Sequence, residues 1–538
     1  MTDLFDYEYQ QFASKRMPVV ARNGMVATAQ PLAAEAGLEI LRQVGNAVDA
    51  AVATAACLSV VEPTTNGIGS DCFAIIWMKG KLYGLNASGV APQSISVDKL
   101  KKAGFDQMPT YGWEPVMVPG TPAGWAACSK RFGKLPLTQV LAPAIKYAEE
   151  GYPLSPQLAK LWRNASRKFK KAFHGPLFDE WFRVFNPNGE IPTAGEMWRS
   201  PDHAKTLQEI AETGADSFYH GRLAKLISDY AAKTGGYLSF EDLNQYEAEW
   251  IKPLSVDYKG YDVWELPPNG QGMVTLMALN ILKNLDFPTP DPVENLHRQI
   301  EAIKLAFADG KQYITDPRDM GDQVAAMLKP EYGQERAKLI SKTALQPEPG
   351  RLPKGGTVYL CTADGEGNMV SWIQSNYMGF GSGVVVPGTG IALQNRGETF
   401  SFNPEDANVL VPGKRTYHTI MPGFLTKNGQ AVGPFGVMGG YMQPQGHLQV
   451  VTNLIDFNLN PQATLDAPRW QWLEDKKVLV EKSLSQPLAE ALQRRGHEIS
   501  VDLSGGAFGR GQIILRNPET GVLVGGTEPR ADGSVVGF

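Results

Sequence analysis

Apolar residues recur at helical spacing through most of the first two thirds of the chain. In PLAAEAGLEILRQVG, from Pro31, they fall on one face, and a glycine stands where the helix should stop. The following NAVDAAVATAACLSVV is apolar nearly all round, which predicts a helix buried on every side. Further helices are expected near 136–150, 204–213, 221–233 and 293–313. Between them CFAIIWMKG with KLYGLNAS, and VDYKGYDVWELP, alternate like strands and predict hairpins. Residues 343–356, TALQPEPGRLPKGG, break the pattern: rich in Pro and Gly and poor in bulky apolar residues, they predict an exposed linker. Beyond them the period becomes two. TVYLCTAD, GEGNMVSWIQS and the pair FLTKNG–QAVGPFGV predict antiparallel strands joined by tight turns, with helices near 443–457 and 487–496 and closing strands at GQIILRN and GVLVGGTE. Helices packed on antiparallel strands predict an α+β layered fold.

A length of 538 residues exceeds one simple domain, so either several domains share the chain or one large layered architecture uses all of it. A composition 43% hydrophobic and 20% charged excludes wholesale disorder. The net charge of −5 argues against nucleic acid or an anionic membrane as the main partner. The 56 glycines and 38 prolines imply many tight turns and sites built from backbone. Four cysteines without a CxxC pair and seven scattered histidines fit a reducing compartment and give no metal spacing, so neither metal nor cofactor is expected. The start, MTDLFDYEYQQFASKR, lacks the basic end and apolar stretch of a signal peptide. The most apolar helical run, Ala50 to Val61, falls short of the about 20 residues a membrane span needs. A soluble cytoplasmic protein is the expectation.

From Gly367 to Asn395, and again from Asn428 to Ile455, there is no Asp, Glu, Lys or Arg. Both runs are studded with Gly, Pro, Asn, Gln and Ser, so buried strands and loops with internally bonded polar atoms are expected rather than membrane insertion. Gly-rich segments of this kind let backbone N–H groups approach a ligand closely, as an oxyanion site requires; a tightly turned β core without function accounts for them equally. No strand–GxGxxG–helix order, GxxxxGK[ST] loop or GxSxG elbow occurs.

The remaining chemistry lies at Gly355-Gly356-Thr357, where linker meets strand. A cut before Thr357 would give that residue a free α-amine beside its own hydroxyl. The α-amine, with a pKa near 8, can act as the base for the hydroxyl, which then attacks a carbonyl.

The pieces GNAVDAAVATAACLSVVEPTTNGIGSDCF, VPGTPAGW, TVYLCTADGEGNMVSWIQSNYMGFGSGVVVPGTGIALQN and GGYMQPQGHLQVVTNLIDFNLNPQATLDAPRW, in that order, resemble the γ-glutamyltransferase (glutathione hydrolase) family, closest to its glutathione hydrolase-like branch. The likeness runs from about residue 20 to the C-terminus. It implies an N-terminal nucleophile hydrolase: a proenzyme of four-layer αββα fold that cuts itself before a Thr into two chains that remain together as a heterodimer, with further dimerisation left open. By this resemblance the cut falls between Gly356 and Thr357, giving a large subunit 1–356 and a small subunit 357–538. Thr357 matches the nucleophile, Gly439-Gly440 the glycines of the oxyanion hole, and Ser375 the position of a Thr that hydrogen-bonds the nucleophile.

Other positions depart from the family. Asn86-Ala87-Ser88-Gly89 stands where an Arg binding the glutamate α-carboxylate is expected, ahead of Ala91-Pro92. Tyr377 replaces an Asn that helps hold the glutamyl group. Arg396 to Thr399 replaces a Gln-x-x-Asp element, and His418-Thr419 a Ser-Ser pair. The acid expected at Thr399 is missing, with Glu398 beside it, and a cation has appeared at Arg396. Arg396, Tyr377, His418 and Thr419 are therefore the expected substrate-binding residues, Arg396 either gripping an acyl-side carboxylate or paired with Glu398 or a nearby acid. The expected activity is attack of Thr357 on a γ-glutamyl compound such as glutathione, with release of the acyl group to water or an amine. The alternatives are hydrolysis of a different amide, as in relatives resembling cephalosporin acylases or oxamate amidohydrolase, and an uncleaved binding protein.

Overall fold

In the computed structural model, residues 16–187, 189, 192–285, 291–347, 356–503 and 505–538 are described. The N-terminal segment before residue 16 and linker positions 348–355, Gly355 included, lie outside the described residues.

Two seven-stranded antiparallel sheets dominate. The first runs in the order Ser534–Gly537, Gly24–Thr28, Gly356–Asp364, Met369–Tyr377, Asp71–Met78, Lys81–Ala87, Glu249–Ile251. The second runs Val19–Ala21, Leu523–Thr527, Arg510–Arg516, Gln430–Met438, Gly423–Lys427, Tyr261–Glu265, Leu254–Tyr258. The two-residue period decides what each strand packs on. Tyr359, Cys361 and Ala363 join Phe73, Phe424, Met438 and Ile514 in a core between the sheets. Their neighbours Val358 and Leu360 turn the other way, onto the helix Ala47–Val61. That helix is buried at every position, and Asn46 caps it through the N–H groups of Val48 and Asp49. Pro31–Arg42 packs beside it on the first sheet, while Gly272–Leu282 and Met442–Ile455 cover the outer face of the second. The result is the four-layer αββα sandwich, with strands from both sides of residue 356 in each sheet.

Three expectations need adjusting. The helix from Pro31 ends at Arg42, and Val44, not a glycine, takes the left-handed conformation (φ 71°). Gly45 is needed for another reason: a Cβ there would lie 2.7 Å from the Ile40 carbonyl. The helix Pro156–Ala172 and the small sheet Trp470–Glu474, Lys477–Glu481, Glu498–Asp502, which contains a parallel pair, were not marked by the sequence pattern. The start of the linker is pinned rather than free. Ala344 N–H donates to the Arg495 carbonyl at 2.7 Å and Leu345 N–H to Glu301 at 2.7 Å.

The same anchor gathers histidines that are distant in sequence. His297 and His497 share a hydrogen bond of 2.8 Å, and His297 Nε2 lies 2.8 Å from the Ser341 carbonyl. With Glu301 they form a buried group whose ligand atoms lie within 4.8 Å of one another. The Lys304 ammonium, 2.7 Å from Glu301, already supplies a cation there.

Candidate active site

Thr357 lies near the start of a central strand of the first sheet, and Ser375 near the end of the strand paired with it. Both are buried, and the Thr357 hydroxyl donates to Ser375 Oγ at 3.1 Å. Ser375 Oγ also accepts the Tyr377 N–H at 2.8 Å. Gln443, not marked by the sequence reading, donates its amide to Thr357 Oγ1 at 3.4 Å while its carbonyl takes the Met421 N–H at 3.1 Å. The Met421 bond fixes which end of the amide faces Thr357.

Gly439 and Gly440 close the strand Gln430–Met438 and lead into the helix Met442–Ile455 with φ of 140° and 60°. Among the described residues neither N–H donates to a backbone carbonyl. Gln271 ties this turn to the neighbouring loop: its Nε2 donates to the carbonyls of Gly440 at 2.9 Å and Thr419 at 2.6 Å. Hydroxyl, hydroxyl acceptor and a turn with open N–H groups form a constellation able to attack an amide carbonyl and hold the negative charge that develops.

Arg396 is almost wholly buried. Its guanidinium lies 4.2 Å from the Tyr377 ring centroid, and Nη1 donates to Thr419 Oγ1 at 2.6 Å. Nε and Nη2 meet no hydrogen-bond partner among the described residues. The salt bridge to Glu398 weighed from sequence does not form. Burial raises the pKa of the Glu398 carboxyl against the Tyr377 hydroxyl and the Arg396 charge. Burial also pulls Arg396 down to about 10, leaving it charged at neutral pH. Tyr377 reaches its place through a left-handed backbone (φ 77°), a strain that tertiary contacts must offset.

His418 differs from its expected role. Its Nε2 lies 3.1 Å from Asp71 Oδ2 and its Nδ1 accepts the Ile420 N–H at 3.3 Å, so both ring nitrogens are committed to protein. Burial, helped by Arg396 and Arg415, keeps the ring neutral, with its pKa well below the ordinary value. Asp71 is raised to about 7, burial outweighing Arg396 and the Gly89 and Gly120 N–H groups. Where the family's large-chain arginine is missing, Arg415 reaches in from the later half of the chain and donates Nε to the Ser88 carbonyl at 3.2 Å.

The family model described as Gamma-glutamyltranspeptidase matches residues 33–538. The chain is 35% identical over 532 residues to the glutathione hydrolase-like YwrD proenzyme of Bacillus subtilis, covering 97% of this chain and 99% of that protein. It is 36% identical over 533 residues to the oxamate amidohydrolase proenzyme of Klebsiella pneumoniae, with 96% and 99% covered. The crystal structure of a cephalosporin acylase from Bacillus halodurans matches with a TM-score of 0.95 at 59% identity, covering 99% of each chain.

Proposed function

The chain belongs to the gamma-glutamyltranspeptidase family, and on that footing we propose that it cuts itself between Gly356 and Thr357 and then hydrolyses amides whose acyl part carries a carboxylate. The observation that carries the reading is the buried Thr357 hydroxyl bonded to Ser375 and linked through Gln443, on the backbone of Gly440, to the Gly439-Gly440 turn.

In maturation, Thr357 Oγ bonds to the Gly356 carbonyl carbon as its proton leaves toward Ser375. The Gly356–Thr357 C–N bond breaks and the nitrogen takes up a proton. Water opens the resulting ester, leaving a Gly356 carboxylate and a Thr357 with free amine and hydroxyl. The amine, titrating near pH 8, then takes the Oγ proton as Oγ attacks a substrate carbonyl. The oxyanion faces the Gly439 and Gly440 N–H groups, and the amine returns the proton to the leaving nitrogen as its bond to carbon breaks. Water, or an acceptor amine, releases the acyl group.

Arg396 offers two N–H donors to an acyl-side carboxylate, held in place by the Tyr377 ring and Thr419, with His418 closing the wall. γ-Glutamyl compounds such as glutathione fall in this class, and the names of the relatives support amide hydrolysis with varied acyl groups. The likeness to a cephalosporin acylase favours, as a second reading, an acylase for a non-glutamyl amide. Mass spectrometry of the purified protein tests maturation: two chains parting before Thr357 are expected, and a persistently single chain would leave only a binding protein. A panel of γ-glutamyl, glutaryl, oxalyl and acetyl amides of one amine then tests the acyl class. Faster turnover of the acetyl amide than of every carboxylated one would refute it.

A further inference from the structure

Thr357 Oγ1 meets two neighbours of opposite character. Ser375 Oγ, 3.1 Å away, takes its proton, whereas Gln443 Nε2, 3.4 Å away, offers it one. The Gln443 donor cannot exchange roles. Its amide oxygen is held by the Met421 N–H at 3.1 Å, and an amide nitrogen has no lone pair to give. The backbone is as fixed as the side chain. Gln443 is the second residue of the helix Met442–Ile455, wholly buried, and its own N–H donates to the Gly440 carbonyl at 3.2 Å. The carbonyl of the next residue, Pro444, accepts the Thr275 hydroxyl at 3.1 Å. One short segment, Gly439 to Gln443, therefore carries donors for two different oxygens. In the amidase reading the Gly439 and Gly440 N–H groups face the oxygen of the carbonyl under attack, while the Gln443 amide faces the oxygen that attacks it.

The second oxygen needs a donor when an ester on Thr357 is opened. Water bonds to the acyl carbon and gives a proton to the Thr357 amine. The C–Oγ bond then breaks, its electron pair stays on Oγ, and the amine returns the proton to that oxygen. While the pair gathers, an N–H aimed at Oγ stabilises it as an oxyanion-hole donor stabilises a carbonyl oxygen. During formation of the ester the same N–H has no such task, because charge then moves away from Oγ. A separation of 3.4 Å is long for a neutral hydrogen bond and leaves room to tighten as charge develops.

We infer that Gln443 is a catalytic residue for acyl release: it stabilises the departing Thr357 oxygen, both when the Gly356 ester is opened in maturation and at every turnover. The inference rests on the amidase reading above. The probe is the 4-nitrophenyl ester of the acyl group that the amide panel selects, with which acylation is fast and acyl release limits turnover. Gln443→Met, of similar length but without a donor, should lower kcat about a hundredfold, the scale of one donor lost at a developing oxyanion. KM should fall by the same factor, leaving kcat/KM unchanged, and intact mass should find the subunit that begins at Thr357 carrying the acyl group. Gln443→Glu keeps an acceptor for Met421 and should behave alike wherever its carboxyl is ionised. Melting curves check that both variants fold. Maturation of both should stall at the ester, giving a chain of unaltered mass that hydroxylamine, which cleaves esters and spares amides, parts before Thr357. A fall in kcat/KM with KM unchanged and no acyl mass would overturn the assignment, as would variants that mature and turn over at the ordinary rate. An unsubstituted protein that stays uncut and takes up no acyl group would sink the amidase reading, and the role of Gln443 with it.

Discussion

The Thr357 hydroxyl points its proton at Ser375 Oγ, 3.1 Å away, an oxygen already fixed by the Tyr377 N–H. The two residues lie on neighbouring strands paired from Gly356–Tyr377 to Ala363–Met369, and the ladder shifts register between Gly356 and Val358, so Thr357 meets Ser375 at an irregularity of the sheet and not on a flexible loop. The proton path used in the proposed self-cleavage is thus present before any bond is cut.

Thr357→Ala removes the only group that both proposed steps use. It should give one uncut chain without amidase activity, whereas Thr357→Ser should still mature, more slowly. Denaturing gels with mass spectrometry read the outcome, and an alanine variant that parts normally into two chains would place the nucleophile elsewhere.

Ser375→Ala strips an acceptor from both the Thr357 hydroxyl and the Tyr377 N–H. The loss of about 1–3 kcal/mol corresponds to a roughly tenfold to hundredfold fall in kcat, with KM little changed. Ser375→Thr keeps the oxygen and should recover most of the rate. A fall in KM-dependent binding alone, with kcat intact, would mark Ser375 as a structural residue.

Arg396 costs stability in the empty protein, because its buried guanidinium leaves Nε and Nη2 without hydrogen-bond partners among the described residues. Arg396→Met is expected to raise the melting temperature and to abolish stabilisation by added glutarate. Arg396→Lys should lower kcat/KM for carboxylated acyl groups by about tenfold or more, since an ammonium cannot fork onto a carboxylate. A lower melting temperature in the methionine variant would show instead that the guanidinium holds the fold together.

Much of this framework was legible in the sequence. The hairpins on either side of 79–80 and 428–429, and the strand opening at Thr357, follow from alternation and turn residues that act within a few positions. The charge-free runs announced the buried strands, and amides such as Gln445 and Gln449 do bond internally, to the backbone of Trp472 and Trp470, whereas the Asn376 side chain and Gln394 Nε2 meet no partner among the described residues. Gln443 and Asp71 escaped notice because their partners are remote: Gln443 lies 86 positions from Thr357, and Asp71 lies 347 from His418. Nothing in a local pattern distinguishes such a residue from other polar members of the same run. The pinned residues 344–345 looked like free linker because their partners are distant: Glu301 and Lys304 capture the Leu345 backbone and the Arg495 carbonyl takes the Ala344 N–H.

Asp71 gives a pH signature. An exposed aspartate ionises near pH 4, but the folded protein holds this proton up to about 7. Between those values folding takes up a proton, so stability falls as pH rises, by about 1.4 kcal/mol per pH unit, and levels off above 7. Asp71→Asn should flatten that part of the slope in urea titrations at pH 4.5, 5.5 and 6.5. An unchanged slope would show that Asp71 is already ionised throughout.

The interleaving of the sheets sets the order of events in the life of the chain. Gly24–Thr28 pairs with Gly356–Asp364, and Val19–Ala21 with Leu523–Thr527, so the stretches before and after residue 356 are woven into the same layers. A peptide bond severed ahead of Thr357 carries none of the load that holds those layers together. On the proposed maturation the strands assemble as one covalent chain before the cut, and the cut then works as a ratchet. Halves so produced would stay joined through their shared sheets, but once unfolded they would be two separate molecules that must find each other by diffusion.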